Sequence, residues 1–250
     1  MKIEVLFEAK KVNIDLSKGI DISIAINPEA GVNAFHISRA KFEPIRVGSF
    51  VGSVKEGGSA NCENLFINAH GNGTHTECIG HISKDRVCIN DCLKEFFFFA
   101  QLITVSPKQI ENGDYIIDME SISQYKKIND CEAIIIRSLP NDSNKLNRNY
   151  SGQNPTYLSA ELCKYLREIG IKHLLIDLPS VDREEDAGAL AAHKAYWDFS
   201  GAFRKDMTIT ELVYVPSDVE DGVYFLNLQI ASLMTDASPS KPVLFNMLIC

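Results

Sequence analysis

The stretch LSAELCKYLREIGIKHLLIDLPSVD, residues 158–182, decides the fold class. Ser159 is placed to cap a helix over Leu158 to Ile169, with Leu162, Tyr165, Leu166 and Ile169 recurring on one face. Gly170 stops that helix, and Lys172 to Asp177 follows with the apolar run of a buried strand. Working outward, Glu132 to Arg137 and Phe99 to Val105 read as strands, and Asp114 to Tyr125 has helical character. Between them, Pro140 to Pro155 is polar and rich in Asn and Ser, the composition of a long surface loop that often serves as a lid.

Downstream, Glu184 to Tyr196 is an Ala-rich predicted helix carrying His193. Thr208 to Val215 is a strand carrying Glu211, Val223 to Leu233 is another, and Lys241 to Ile249 is placed to close the sheet. Near the start, Ile20 to Ile26 alternates as a strand, Asn33 to Phe42 reads as a further strand, Lys55 to Asn64 is a Gly-rich loop, and Leu65 to Asn68 is a short apolar strand. Strands dominate the first third and strand–helix–strand units fill the rest. The expectation is one α/β domain with a mixed sheet across residues 1–250.

A chain of 250 residues with 45% hydrophobic content suits a soluble domain with a sizeable core. The formal net charge of −8 repels phosphate backbones, so nucleic acid is not an expected partner, and no polybasic run favours an anionic membrane. Glu4 and Glu8 interrupt the apolar start, which argues against a signal peptide, and no apolar run is long enough to span a bilayer. Seven cysteines without a CxxC pair are expected as reduced thiols in the cytoplasm. Cys88 and Cys92, four apart, lack the second pair that a zinc site needs.

The chemistry concentrates in one segment. His70, His75 and His81 fall within twelve residues, with Glu77 among them. His75 and Glu77 are two apart, so on an extended strand they point the same way and make half of a site for a divalent transition metal. Gly73 and Gly80 bracket the pair. Glu211, in an apolar strand, needs a partner if buried, and a metal would supply one. The bland alternatives are surface histidines, a packing role for His193 beside Trp197, and a surface-facing Glu211. Asp177 and Asp182 flank a strand end, where either could orient a ligand histidine. Ser180 sits in no G-x-S-x-G pattern, and Cys78 lies beside a carboxylate that disfavours a thiolate, so neither is expected as a nucleophile.

Gly73-Thr74-His75-x-Glu77-x-x-x-His81 resembles the core of the motif H-x-G-T-H-x-D-x-P-x-H of the cyclase family of metal-dependent hydrolases, which includes the bacterial type of kynurenine formamidase. Glu77 stands in for the motif's Asp and Ile79 for its Pro. Asp177-Leu178-Pro179-Ser180-Val181-Asp182 is similar to that family's D-x-x-S-x-D strand end, and His193, Glu211 and Asn227-Leu228 fall where its later His, Glu and N-L lie. The resemblance covers roughly residues 20–235 and implies a swivelling β/β/α fold assembled as homodimers or homotetramers. It implies His75, Glu77, His193 and Glu211 as metal ligands and His81 as the proton-transfer residue. The motif's first histidine would fall on Gly71, whereas His70 lies one residue earlier. A bulge at residues 71–73 would bring His70 to the metal; without it that ligand is missing.

The expected activity is hydrolysis of an amide or ester carbonyl of a small-molecule substrate, with an aryl formamide such as N-formylkynurenine the best fit. The expected cofactor is Zn²⁺, alternatively Mn²⁺, as one or two ions. A lactone, cyclic amide or carbamoyl hydrolase on the same scaffold is one alternative, and a catalytically silent small-molecule-binding protein is another.

Overall fold

The computed structural model describes residues 1–125, 128 and 131–249. Its centre is a closed barrel of seven strands: β1 (His75–Cys78), β2 (Phe97–Val105), β3 (Ala133–Ser138), β4 (His173–Ile176), β5 (Thr208–Glu211), β6 (Gly222–Ile230) and β7 (Ala237–Ile249). Neighbours run β7-β6-β2-β3-β4-β5-β1, and β1 pairs back onto β7 to close the ring. Strands β2 to β5 are mutually parallel, while β1 and β6 run antiparallel to their neighbours. This is the mixed α/β sheet expected from the sequence. An N-terminal hairpin, Lys2–Phe7 with Lys10–Asp15, extends the sheet beyond β7.

The parallel strands are buried on both faces, which explains their unbroken apolar sequences. Ala133, Ile135 and Leu175 join Leu102, Leu226 and Leu244 in one cluster. The alternate residues Ile134, Ile136, Leu174, Ile176 and Ile209 form another with the two helices, α1 (Ala160–Glu168) and α2 (Ala191–Tyr196). Ser159 accepts a hydrogen bond from the Leu162 N–H at 3.1 Å and caps α1 as the sequence predicts. Leu162, Cys163 and Leu166 are its buried side, whereas Ile169 falls beyond the last turn and is exposed. Gly170 ends the helix at φ +94°, a left-handed conformation that glycine adopts without strain.

Several expectations change. Asp114 to Tyr125 is not helical: Tyr115–Ile117 is a short strand, and Asp118 and Ser121 bond each other's backbone N–H groups in a local turn that competes with helix. Asn33 to Phe42 is mostly irregular, with Phe35 and His36 both left-handed, and only Lys41–Pro44 is a strand. Its partner is Glu63–Phe66, so the strand expected at 65–68 is shifted and lies exposed on a ribbon of its own. Residues 184–190 are not helical, because α2 begins only at Ala191. The 140–155 loop is not free-standing. Lys145 is buried and donates to Asp177 Oδ2 at 2.7 Å and to the Ser138 carbonyl at 2.7 Å, and Tyr150 is buried against residues 32–34.

Cys62, Cys78, Cys88, Cys92 and Cys163 are free thiols. Cys88 and Cys92 belong to no metal-binding group among the described residues. No helix among the described residues is long and apolar enough to cross a membrane.

Candidate metal centre

The site lies at the C-terminal ends of the parallel strands, where β5 finishes at Glu211 and the antiparallel β1 begins at His75. These two residues are register partners, and their side chains meet with Nε2 3.3 Å from Oε2. Alternation along β1 puts Glu77 on the same side as His75. Thr76 turns the other way and pairs with Thr210 at 2.8 Å, while Cys78 enters the core cluster of Leu102 and Leu226. Hydrogen bonding to Cys92 and burial push the Cys78 thiol well up, consistent with its exclusion as a nucleophile. Thr74 anchors the strand's start: its hydroxyl accepts from the Ile24 N–H and donates to the Leu212 carbonyl. Leu212, directly after Glu211, is fully buried at φ +54°, so strained backbone adjoins the carboxylate.

His70 reaches the site by a route other than a bulge. Residues Ala69–Asn72 form a single helical turn, capped by the Asn68 side chain, which accepts from the His70 N–H at 2.9 Å. Buried Asn72 ties that turn down by donating to Asn33 Oδ1 at 2.9 Å and to the Ser38 carbonyl at 3.1 Å. The helical turn absorbs the one-residue offset and sets His70 Nδ1 3.1 Å from Glu77 Oε2. His193 arrives on α2. Asp182 receives the Ala192 and His193 N–H groups and holds His193 Nδ1 at 2.6 Å, which leaves Nε2 3.1 Å from Glu77 Oε1 and 3.9 Å from Glu211 Oε1. Of the two aspartates flagged in the sequence, Asp182 orients the histidine and Asp177 serves Lys145. Asn227 donates to the Phe96 carbonyl and takes no part. Ser180 lines the cleft, where its hydroxyl accepts from the Asp182 N–H.

The imidazoles share one arrangement, in which one nitrogen is anchored and the other is presented inward. For His75 the anchor is the Gly73 carbonyl, 3.1 Å from Nδ1. A carbonyl only accepts, so Nδ1 carries a proton and, in the neutral ring, Nε2 presents a lone pair. That Nε2 is buried, has no hydrogen-bond partner, and faces a carboxylate oxygen; Glu77 Oε2 is likewise buried without an aligned hydrogen bond. A lone pair set against a carboxylate is repulsive unless a cation joins them. The donor set of imidazole nitrogens and carboxylates is one that divalent transition metals take, so the residues fit a metal. Two groups among the described residues have this character, His75–Glu77–Glu211 and His70–Glu77–His81, with Glu77 common to both.

The electrostatics agree. Burial opposes charge on Glu77, but His81, His193 and His70 hold its carboxyl well below the usual range. Burial likewise opposes protonation of His193, yet Asp182 and Glu77 raise it to about 10. His70 also rises to about 10, because Asp236 and Glu77 outweigh its burial. This much buried negative charge demands compensating positive charge.

A cleft of about 320 Å³ opens over His70, His81, His193 and Glu211. Phe35, Ile37 and Leu190 form apolar walls, and Arg183, Glu184 and Asp186 stand at the rim. His81, on the turn Ile79–His81, edges this cleft. That turn depends on Gly80: an added Cβ would lie 2.0 Å from the Val87 carbonyl oxygen. Gly80→Ala should therefore destabilise the fold by about 1–3 kcal/mol, the range for overpacking, with a lower midpoint in thermal unfolding; an unchanged midpoint would contradict the close approach.

All six residues singled out in the sequence, His70, His75, Glu77, His81, His193 and Glu211, thus converge. Asp236 was not among them. It immediately precedes β7, and its Oδ2 lies 2.9 Å from His70 Nε2 and 3.3 Å from His81 Nδ1. Its neighbours in sequence carry no motif that would single it out.

The chain belongs to the Cyclase family, whose model matches residues 14–183. It is 24% identical over 232 residues to the kynurenine formamidase of Bacillus mycoides (strain KBAB4), covering 92% of this chain and 96% of that protein. Among solved structures, it shares its fold with a potential metal-dependent hydrolase with cyclase activity, at TM-score 0.65 and 18% identity over 91% of this chain and 97% of the other. Isatin hydrolase A from Labrenzia aggregata, bound to benzyl benzoate, superimposes at TM-score 0.65 and 14% identity over 93% of this chain and 94% of the other.

Proposed function

We propose that this chain is a metal-dependent hydrolase of an amide or ester carbonyl, with an aryl formamide such as N-formylkynurenine as the best-fitting substrate. The observation that carries the proposal is the convergence of His75 Nε2, His193 Nε2 and His70 Nδ1 on the buried carboxylates of Glu77 and Glu211, with His81 beside them at the cleft. Those five inward-facing groups would hold the metal, Zn²⁺ or alternatively Mn²⁺, as one ion or as two sharing Glu77. When bound, such an ion polarises a carbonyl and lowers the pKa of water toward ~7.

His81 accepts the proton from the attacking water and returns it to the leaving amine or alcohol. Of the four histidines it stands farthest from the two buried carboxylates, with Nδ1 3.8 Å from Glu77 Oε2, and its side chain is 30% exposed. Phe35, Ile37 and Leu190 supply apolar surface for an aryl group, and a formyl carbon is small enough to reach carboxylates and imidazoles recessed behind them. The curated relative named a kynurenine formamidase, matched over 92% of this chain, supports this substrate class.

Two measurements test the proposal. Protein equilibrated with Zn²⁺ or Mn²⁺ and freed of excess ion should retain stoichiometric metal; none retained would leave a binding protein of the same fold. The metal-loaded protein should hydrolyse N-formylkynurenine faster than a panel of lactones, cyclic amides and carbamoyl compounds, and a chelator should abolish turnover. A preference for another member of the panel would move the assignment to that substrate.

A further inference from the structure

Each of the three metal-facing histidines has an acceptor behind it: the Gly73 carbonyl for His75, Asp182 for His193 and Asp236 for His70. His81 is proposed to move protons, so it has the greatest need of a defined tautomer. Among the described residues, the acceptor at its Nδ1 closest in distance is Asp236, at 3.3 Å, ahead of Glu77 Oε2 at 3.8 Å.

We propose that Asp236 is a positioning residue that acts through His81, holding the proton on Nδ1 so that Nε2 presents its lone pair to the cleft. The inference rests on the hydrolase reading above for the reaction it serves, though not for its geometry. Asp236 is itself well placed to hold. Its backbone carbonyl accepts from the Cys78 N–H at 3.0 Å, locking it to the end of β1, and its Oδ1 accepts from the Thr235 hydroxyl at 2.9 Å. The remaining oxygen, Oδ2, is thereby turned toward the histidines. A carboxylate there fixes the tautomer with Nε2 free and stabilises the imidazolium formed when Nε2 takes a proton, the part an orienting aspartate plays in a nucleophile–histidine–aspartate triad. The same oxygen lies 2.9 Å from His70 Nε2, so a role through His70 is the competing explanation that a test must separate.

Asp236→Asn keeps the size of the side chain and removes its charge. In the metal-loaded protein, kcat should fall by roughly 10–100-fold, the usual effect of losing a partner behind a site histidine, with KM and metal content unchanged. In a His81→Ala background, Asp236→Asn should cause no further loss, because residues acting through one another are not additive. Multiplying effects in the double variant, full turnover in Asp236→Asn, or a loss of metal that accounts for the defect would each overturn the proposal. Side-chain ¹⁵N spectra of the Zn²⁺ protein, with the His81 signals assigned by their absence in His81→Ala, give a readout free of activity. They should show the Nδ1–H tautomer in the parent and a mixed tautomer in Asp236→Asn. If the parent hydrolyses none of the panel, the hydrolase reading fails, while these spectra still decide whether Asp236 holds His81.

Discussion

Replacing Glu77 by glutamine is expected to remove metal binding and turnover together. Glu77 is fully buried, and its two oxygens meet three histidines: Oε1 lies 3.1 Å from His193 Nε2, and Oε2 lies 3.1 Å from His70 Nδ1 and 3.8 Å from His81 Nδ1. It is also the residue common to both groups able to hold a cation. The amide has nearly the same shape but no charge, and one end of it now donates where a cation would sit. The loss in metal affinity should exceed the ~10–100-fold typical of groups one step behind a metal, as measured by titration calorimetry and elemental analysis. Tight stoichiometric binding by Glu77→Gln would remove Glu77 from the ligand set and undo the account of the centre.

The second large effect separates binding from chemistry. His81→Ala should lower kcat by roughly 10²–10⁴-fold, the usual contribution of a positioned acid–base group, while metal content stays at the parental level. The side chain is 30% exposed at the edge of the cleft, so its truncation leaves no buried hole. His81 is nevertheless close enough to His70 and Glu77 to share a cation with them. Loss of metal on truncation would therefore make His81 a ligand and require another residue for proton transfer.

What the sequence reveals follows the range of the interactions involved. The helix at 160–168 and the strand at 173–176 were legible because a capping serine, an amphipathic face and a stopping glycine all act within a dozen positions. Asp114 to Tyr125 misled because side-chain bonds decide it. Asp118 and Ser121 close a turn on each other, and Asp114 accepts from Asn154 and Arg183 far along the chain. In the site, His75 and Glu77 were readable from strand periodicity alone. The offset of His70 was not, since the solution is a one-turn helix that two asparagines hold in place rather than a bulge in a strand. Asp236 was invisible for a plainer reason: its histidine partners lie 166 and 155 positions away, and nothing local marks it.

The closing contact of the barrel, Ala237 opposite Glu77, also bears on how the molecule comes to be. Contacts spanning well over a hundred positions bear most of the entropy of loop closure and form late in folding. The groups placed to hold a metal are spread across the turn Ala69–Asn72, β1, β5 and α2, and Asp236 enters just before β7. Strand β7 closes the ring and brings Asp236 to the histidines, so the site is complete only once that long-range pairing has formed. Capture of a metal here would therefore report a closed barrel. A metal held there would in turn stabilise the closed barrel over open forms.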